Sequence, residues 1–186
     1  MKVREITPDV APGPWLAGAQ FIDAYRIEVD GGTLDAREVA RRMFARTPRW
    51  VDALLNLRNR IVAPLGLKTS GAGEPATGGM IGLFPVVSET PERLVAGFND
   101  AHLDFRVVVD VTAAKAGQQI TATTLVRTHN RLGRAYLAAI LPFHRVIVRS
   151  LLRRVSLEHD SEKWKPVFPR DKRGTRLRGN HAQTKS

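Results

Sequence analysis

The stretch "HLDFRVVVD" (102–110) holds a histidine, two aspartates and an arginine within nine residues. In an extended strand, alternate side chains share a face. His102, Asp104, Arg106 and Asp110 then stand on one side, with Leu103, Phe105, Val107 and Val109 on the other. "TATTLVRTHN" (121–130) divides the same way, and if the two strands are neighbours, Arg127 and His129 join the charged set. An Asp–His pair could perform acid/base work and an Asp–Arg pair could hold an anion. The same face could equally be the solvated outside of a sheet, where ion pairs contribute little, about 0 to 1 kcal/mol each. Alternation does not say which face is concave. Composition leans slightly toward the outside reading.

A second candidate lies in "TLVRTHNRLGRAYLAAILPFHRVIVRSLLRRV" (124–155), a strand end followed by a long helix with Pro142 and His144 at its middle. Proline in a helix removes one backbone donor, here the one for Ala138, and bends the axis, which suits a helix following a curved sheet. His144 is then either a satisfied core histidine or a pocket residue able to exchange protons near neutral pH. Asn130 is placed to cap the helix.

Other polar residues are weaker candidates. Glu89, in "VVSETPERL", ends a strand and could partner a histidine, although an acid before a Thr-Pro turn more often meets solvent. Trp50, Asn56, Arg58 and Asn59 sit on a helical stretch, where Arg58 could close over a pocket mouth and Trp50 could face a ligand or the core. Tyr136 lies one turn into the long helix, close to the expected pocket. The ligand-binding set is therefore Trp50, Arg58, Glu89, Arg106, Arg127, Tyr136 and His144. The acid/base candidates are His144, Asp104, His102 and His129.

Several chemistries lack their residues. With no cysteine, thiolate nucleophiles, disulfides and cysteine-ligated metals are excluded. His102, His129 and His144 have no metal-ligand spacing. The glycine-rich "KTSGAGEPATGG" (68–79) lacks the Lys-Ser/Thr and following helix of a phosphate loop, and no serine stands in a nucleophile elbow. No cofactor is expected.

The elements that must position these residues follow from periodicity. An extended lead-in carries Pro8, Pro12 and Pro14. "FIDAYRIEV" (21–29) alternates as a strand and ends in "DGG" turn chemistry. From Asp35 the period changes to three and four, predicting two helices broken at Pro48, the second ending near Pro64 and Gly66. After the glycine-rich loop come strand-like runs at 80–89, 93–100, 102–113 and 118–129, joined by short turns as antiparallel hairpins. The long helix closes the order.

The fold class expected is α+β: a curved antiparallel sheet, two short helices and a long C-terminal helix across it. Over residues 20–155 this order resembles the helix-grip architecture of the START and polyketide-cyclase-like (SRPBCC) superfamily. More narrowly, "TPRWVDALLNLRNRIVAPLGLKT", "FPVVSETPERLVAGFNDAHLDFRVVV" and "TTLVRTHNRLGRAYLAAILPFHRVIV" are similar to an uncharacterised bacterial family whose members occur alone or fused behind an NAD-binding, epimerase-like domain. The resemblance covers most of residues 15–155. It implies the fold and a ligand site between the sheet and the long helix, and it implies no particular reaction.

At 186 residues, 43% hydrophobic and 25% charged, the chain has the composition of one folded domain. The expected division is a domain at 1–157 and a flexible basic tail at 158–186. From Lys163 onward, eight Lys or Arg stand against Asp171 alone, giving +7 of the total +11. Such a tail aids solubility, and clustered cations also attract phosphate without specificity. No run of eighteen apolar residues and no apolar leader is present, so no transmembrane segment and a cytoplasmic location are expected.

Three functions from different classes follow. The first is binding of a small hydrophobic or amphipathic molecule against the apolar helix face of Leu137, Ile140, Leu141, Ile147 and Val148. The second is a cyclase- or isomerase-like enzyme using the His and Asp candidates. The third is weak nucleic-acid or anionic-surface contact through the tail and Arg145, Arg149, Arg153 and Arg154. A homodimer is a further option.

Overall fold

The computed structural model describes residues 2–31, 33–44 and 78–163, with side chains characterised up to 156. The expected second helix, with Trp50 and Arg58, the glycine-rich loop up to 77, and the tail from 164 lie outside the described residues.

A seven-stranded antiparallel sheet is built from β1 (Arg4–Ile6), β2 (Phe21–Asp30), β3 (Met80–Ile81), β4 (Phe84–Glu89), β5 (Arg93–Asn99), β6 (Leu103–Ala114) and β7 (Gly117–Thr128), in the order β1-β2-β7-β6-β5-β4-β3. Among the described residues, two short helices, α1 (Gly13–Leu16) and α2 (Ala36–Phe44), and the long α3 (Arg131–Lys163) accompany it. The α+β class and the curved sheet under a long C-terminal helix are as expected. Two strands differ from the sequence reading. The lead-in contributes β1, which pairs Glu5 with Tyr25 at the sheet edge, and α1, which starts at a Gly-Pro. The run at 80–89 is two strands, because Gly82 takes a φ of 59° that turns the chain between them.

Register decides which face is which. Phe105 pairs with Val126, Val107 with Thr124 and Val109 with Ala122, so the apolar alternates share one face. That face turns toward α2 and α3, and the main core forms there from Tyr25, Ile27, Leu94, Ile120 and Leu152 among others. The outer face has its own small core, in which Leu16 and Trp15 of α1 pack on Val95, Val108 and Leu125. Cover on both faces explains why β7 is buried at every residue from Ile120 to Val126, threonines included.

Helix α3 is held at its start by two features. Asn130 Oδ1 accepts from the Gly133 N–H at 2.9 Å, the cap expected from sequence. Gly133 itself passes so near the β5–β6 turn that a Cβ would lie 2.1 Å from the His102 carbonyl oxygen. The helix continues through Pro142, which faces outward, and runs six residues past the expected boundary at 157. By length and composition alone, Arg131–Ser156 would suffice to cross a membrane. In this fold Val148, Leu151, Leu152 and Val155 are buried against the sheet side, while Phe143 and Val146 on the other side are about half exposed, at 50% and 58%.

Candidate functional site

Between the concave face of the sheet and α3 lies a cavity of about 410 Å³, the size of a small-molecule site. The end of α2 and the turn between β3 and β4 complete its wall through Met43, Phe44, Gly82 and Leu83. The strands supply the floor because their inward alternates are apolar. The helix supplies Leu137, Ile140, Leu141, Ile147 and Val148, the apolar face predicted from the 3.6-residue period.

Phenylalanines concentrate at one end. The rings of Phe84 and Phe98 stack at 6.2 Å and 7°, Phe98 and Phe105 at 5.7 Å, and Phe44 meets Phe84 edge-on at 5.5 Å. These come from α2, β4, β5 and β6. Of the twenty-one lining residues among the described ones, Thr124, Tyr136 and His144 alone carry polar side chains.

His144 and Thr124 both line the cavity near Asp23 of β2. The imidazole Nε2 lies 3.2 Å from Asp23 Oδ1, with hydrogen-bond geometry, and 3.1 Å from Oδ2, without it. Asp23 pairs in register with Thr124, is 8% exposed, and has its Oδ2 buried without a donor among the described residues. The edge of Phe21 packs on the His144 ring at 5.9 Å. An ionised carboxylate can only accept, so Nε2 carries the proton in this contact and a neutral ring keeps Nδ1 as an acceptor. Such a histidine, oriented by a buried acid, can bind or move a proton at a ligand atom.

Behind Asp23, on the same strand face, Tyr25 is fully buried and its hydroxyl has no hydrogen-bond partner among the described residues. Burial pushes its phenol up to about 12, with the charges of Asp23 and Glu5 adding and Arg145 and Arg149 opposing. The Arg149 guanidinium lies 5.4 Å from the Tyr25 ring centre and donates to Glu5 at 3.2 Å.

The charged set read from β6 and β7 occupies the opposite, convex face. His129 Nε2 is 3.0 Å from Asp104 Oδ1. Arg106 donates to the carbonyls of Phe98 and Phe105 at 3.0 and 2.9 Å and to Asn99 Oδ1 at 2.7 Å. Its burial lowers the guanidinium pKa, Asp104 opposing. Arg127 reaches the Ala17 carbonyl at 3.4 Å, and His102 Nδ1 meets Asn130 Nδ2 at 2.7 Å beside the helix cap. Asp104 and His129 do come together, as their alternation predicted, but away from the cavity. Glu89 partners no histidine: both its oxygens are taken by Arg37 of α2, which holds the carboxyl below its ordinary range. Of the candidates within the described residues, His144 and Tyr136 line the cavity.

Asp23, Thr124 and the phenylalanine cluster were not singled out by the sequence reading. Asp23 had one signal: it is the sole charged residue among the inward alternates Phe21, Asp23, Tyr25, Ile27 and Val29 of β2.

No curated protein matches the chain. Among solved structures, it is similar to a crystal structure of a Rhodobacter sphaeroides protein determined as a structural-genomics target, at 12% identity and a TM-score of 0.45, over 86% of this chain and 99% of that one. The model of one family, described as a protein of unknown function, matches residues 15–151, close to the range of 15–155 over which the sequence resemblance was read. The chain therefore belongs to this family, DUF2867.

Proposed function

We propose that this protein binds a small apolar or amphipathic molecule between its sheet and its C-terminal helix. The observation that carries the reading is the cavity of about 410 Å³, walled among the described residues by apolar side chains except at Thr124, Tyr136 and His144. A ligand lying against phenylalanine and leucine in this partly open cavity would remove their apolar surface from water. The strand order and the long helix over the concave face also support placing the fold in the helix-grip superfamily of START and polyketide-cyclase-like proteins.

Native mass spectrometry of freshly purified protein tests this reading, together with titration by an apolar fluorescent dye. A stoichiometric small-molecule adduct, or saturable one-to-one dye binding, is expected. A clean apo mass with no saturable dye binding contradicts it.

A second reading, an isomerase- or cyclase-like enzyme, is favoured by one observation: the His144–Asp23 pair stands at the cavity's polar end. In that case His144 is the acid/base group and Asp23 its positioning residue. Turnover of an enolisable ketone that is lost in His144→Phe would support it.

A further inference from the structure

The cavity is chemically lopsided. His144 and Thr124, with Phe21 beside them, lie over β2 and β7, Tyr136 stands near the start of α3, and Phe84, Phe98 and Phe105 cluster over β4, β5 and β6. From β2 to β5 there are three strand spacings, about 14 Å along the sheet. A ligand spanning both ends is therefore an elongated or ring-bearing apolar body with its polar group at one terminus.

The hydrogen-bonding state of His144 narrows that group further. Its Nε2 is committed to Asp23, which is more than nine-tenths buried. Nδ1 makes no hydrogen bond among the described residues, although His144 lines the cavity. With Nε2–H held by the carboxylate, a neutral ring offers the ligand an acceptor and no donor. At Nδ1 itself an ether or ester oxygen finds no donor, so it could pair only with a hydroxyl such as that of Thr124. A carboxylate would bring a second negative charge beside Asp23, into an apolar enclosure.

We infer that the ligand is a neutral apolar molecule carrying a terminal hydroxyl, a phenol or alcohol, which donates its hydrogen bond to His144 Nδ1 while its body lies among Phe84, Phe98 and Phe105. This rests on the cavity being a ligand site, and it adds the identity of the polar group. Asp23 acts as a positioning residue that fixes the imidazole tautomer.

Three probes of one shape test it: naphthol, methoxynaphthalene and naphthoate, titrated into the full chain by calorimetry. Naphthol is expected to bind about fivefold or more tightly than either of the others, the value of one hydrogen bond. In His144→Phe, naphthol should fall to the affinity of methoxynaphthalene, whose own binding persists. Because this variant strands Asp23, nitrogen-15 NMR of the unaltered protein at mildly alkaline pH gives an independent reading. Nε2 should be protonated and Nδ1 bare, and the Nδ1 resonance should move on adding naphthol.

Equal affinities for the three probes would overturn the inference and leave the cavity as a binding site. Tightest binding of naphthoate, or a protonated Nδ1, would also overturn it, since His144 would then be a donor. If no probe binds, the inference and the binding function fall together.

Discussion

At the scale of single residues, the most consequential side chains are those left incompletely paired on the inner face of β2. The Tyr25 hydroxyl is buried without a partner among the described residues, so removing it relieves a desolvated group at little loss of packing. Tyr25→Phe is expected to leave stability unchanged or raise it by about 1 kcal/mol, measured by urea unfolding at neutral pH. The alkaline limb carries a sign as well. With the folded phenol raised to about 12 and the unfolded one near 10, the folded state keeps a proton that the unfolded state releases. Stability is therefore fully present below about pH 10 and lost as pH rises toward 12. Tyr25→Phe should flatten the fall across that window, and an unchanged slope would show that Tyr25 is not its source. Asp23 behaves oppositely to Tyr25, because His144 already uses it. Asp23→Ala should destabilise by roughly 1 to 3 kcal/mol and release the His144 ring, seen as loss of its single tautomer by NMR. Asp23 was legible as an acid in an apolar alternation. Its pairing with His144 was not, because the two are 121 residues apart and only the crossing of α3 over β2 joins them.

Among the elements, α3 shows how local chemistry and tertiary packing share control. The Asn130 cap could be read directly from the residues before the helix, and Asn130→Ala should cost about 1 kcal/mol in thermal or urea unfolding. Gly133 could not be read, since its need arises from the His102 carbonyl, 31 residues earlier in the chain and brought close only by the fold. Gly133→Ala places a methyl 2.1 Å from that oxygen and should destabilise by about 2 kcal/mol or more, although alanine is the better helix former. Should Gly133→Ala prove stabilising, the close approach of α3 to the β5–β6 turn would be wrong. Strands β2, β5, β6 and β7 were evident from alternation and turn residues, whereas β1 was hidden. It is three residues long, and its place comes from pairing with β2 rather than from any pattern of its own.

For the whole molecule, curvature is what turns a meander into the wall of a cavity. The sequence displays two alternating faces on β6 and β7, one apolar and one charged, and the charged one is the more conspicuous to a chemist. Closure of α2 and α3 over the apolar face puts Asp104, Arg106, Arg127 and His129 outside and leaves the phenylalanines to wall the cavity. Nothing in the period of a strand encodes which side a sheet curves toward, so this assignment needed the three-dimensional arrangement. The binding function proposed above stands or falls on whether a ligand enters this cavity. The most direct test is saturation binding of an apolar fluorescent dye to the unaltered protein and to Ala122→Phe, whose added ring projects from β7 into the space, with the folded state of both checked by thermal melting. One saturable site that disappears in a folded Ala122→Phe is the predicted result. Dye binding that survives the plug unchanged would contradict the account, because the dye would then be sitting somewhere other than between the sheet and α3.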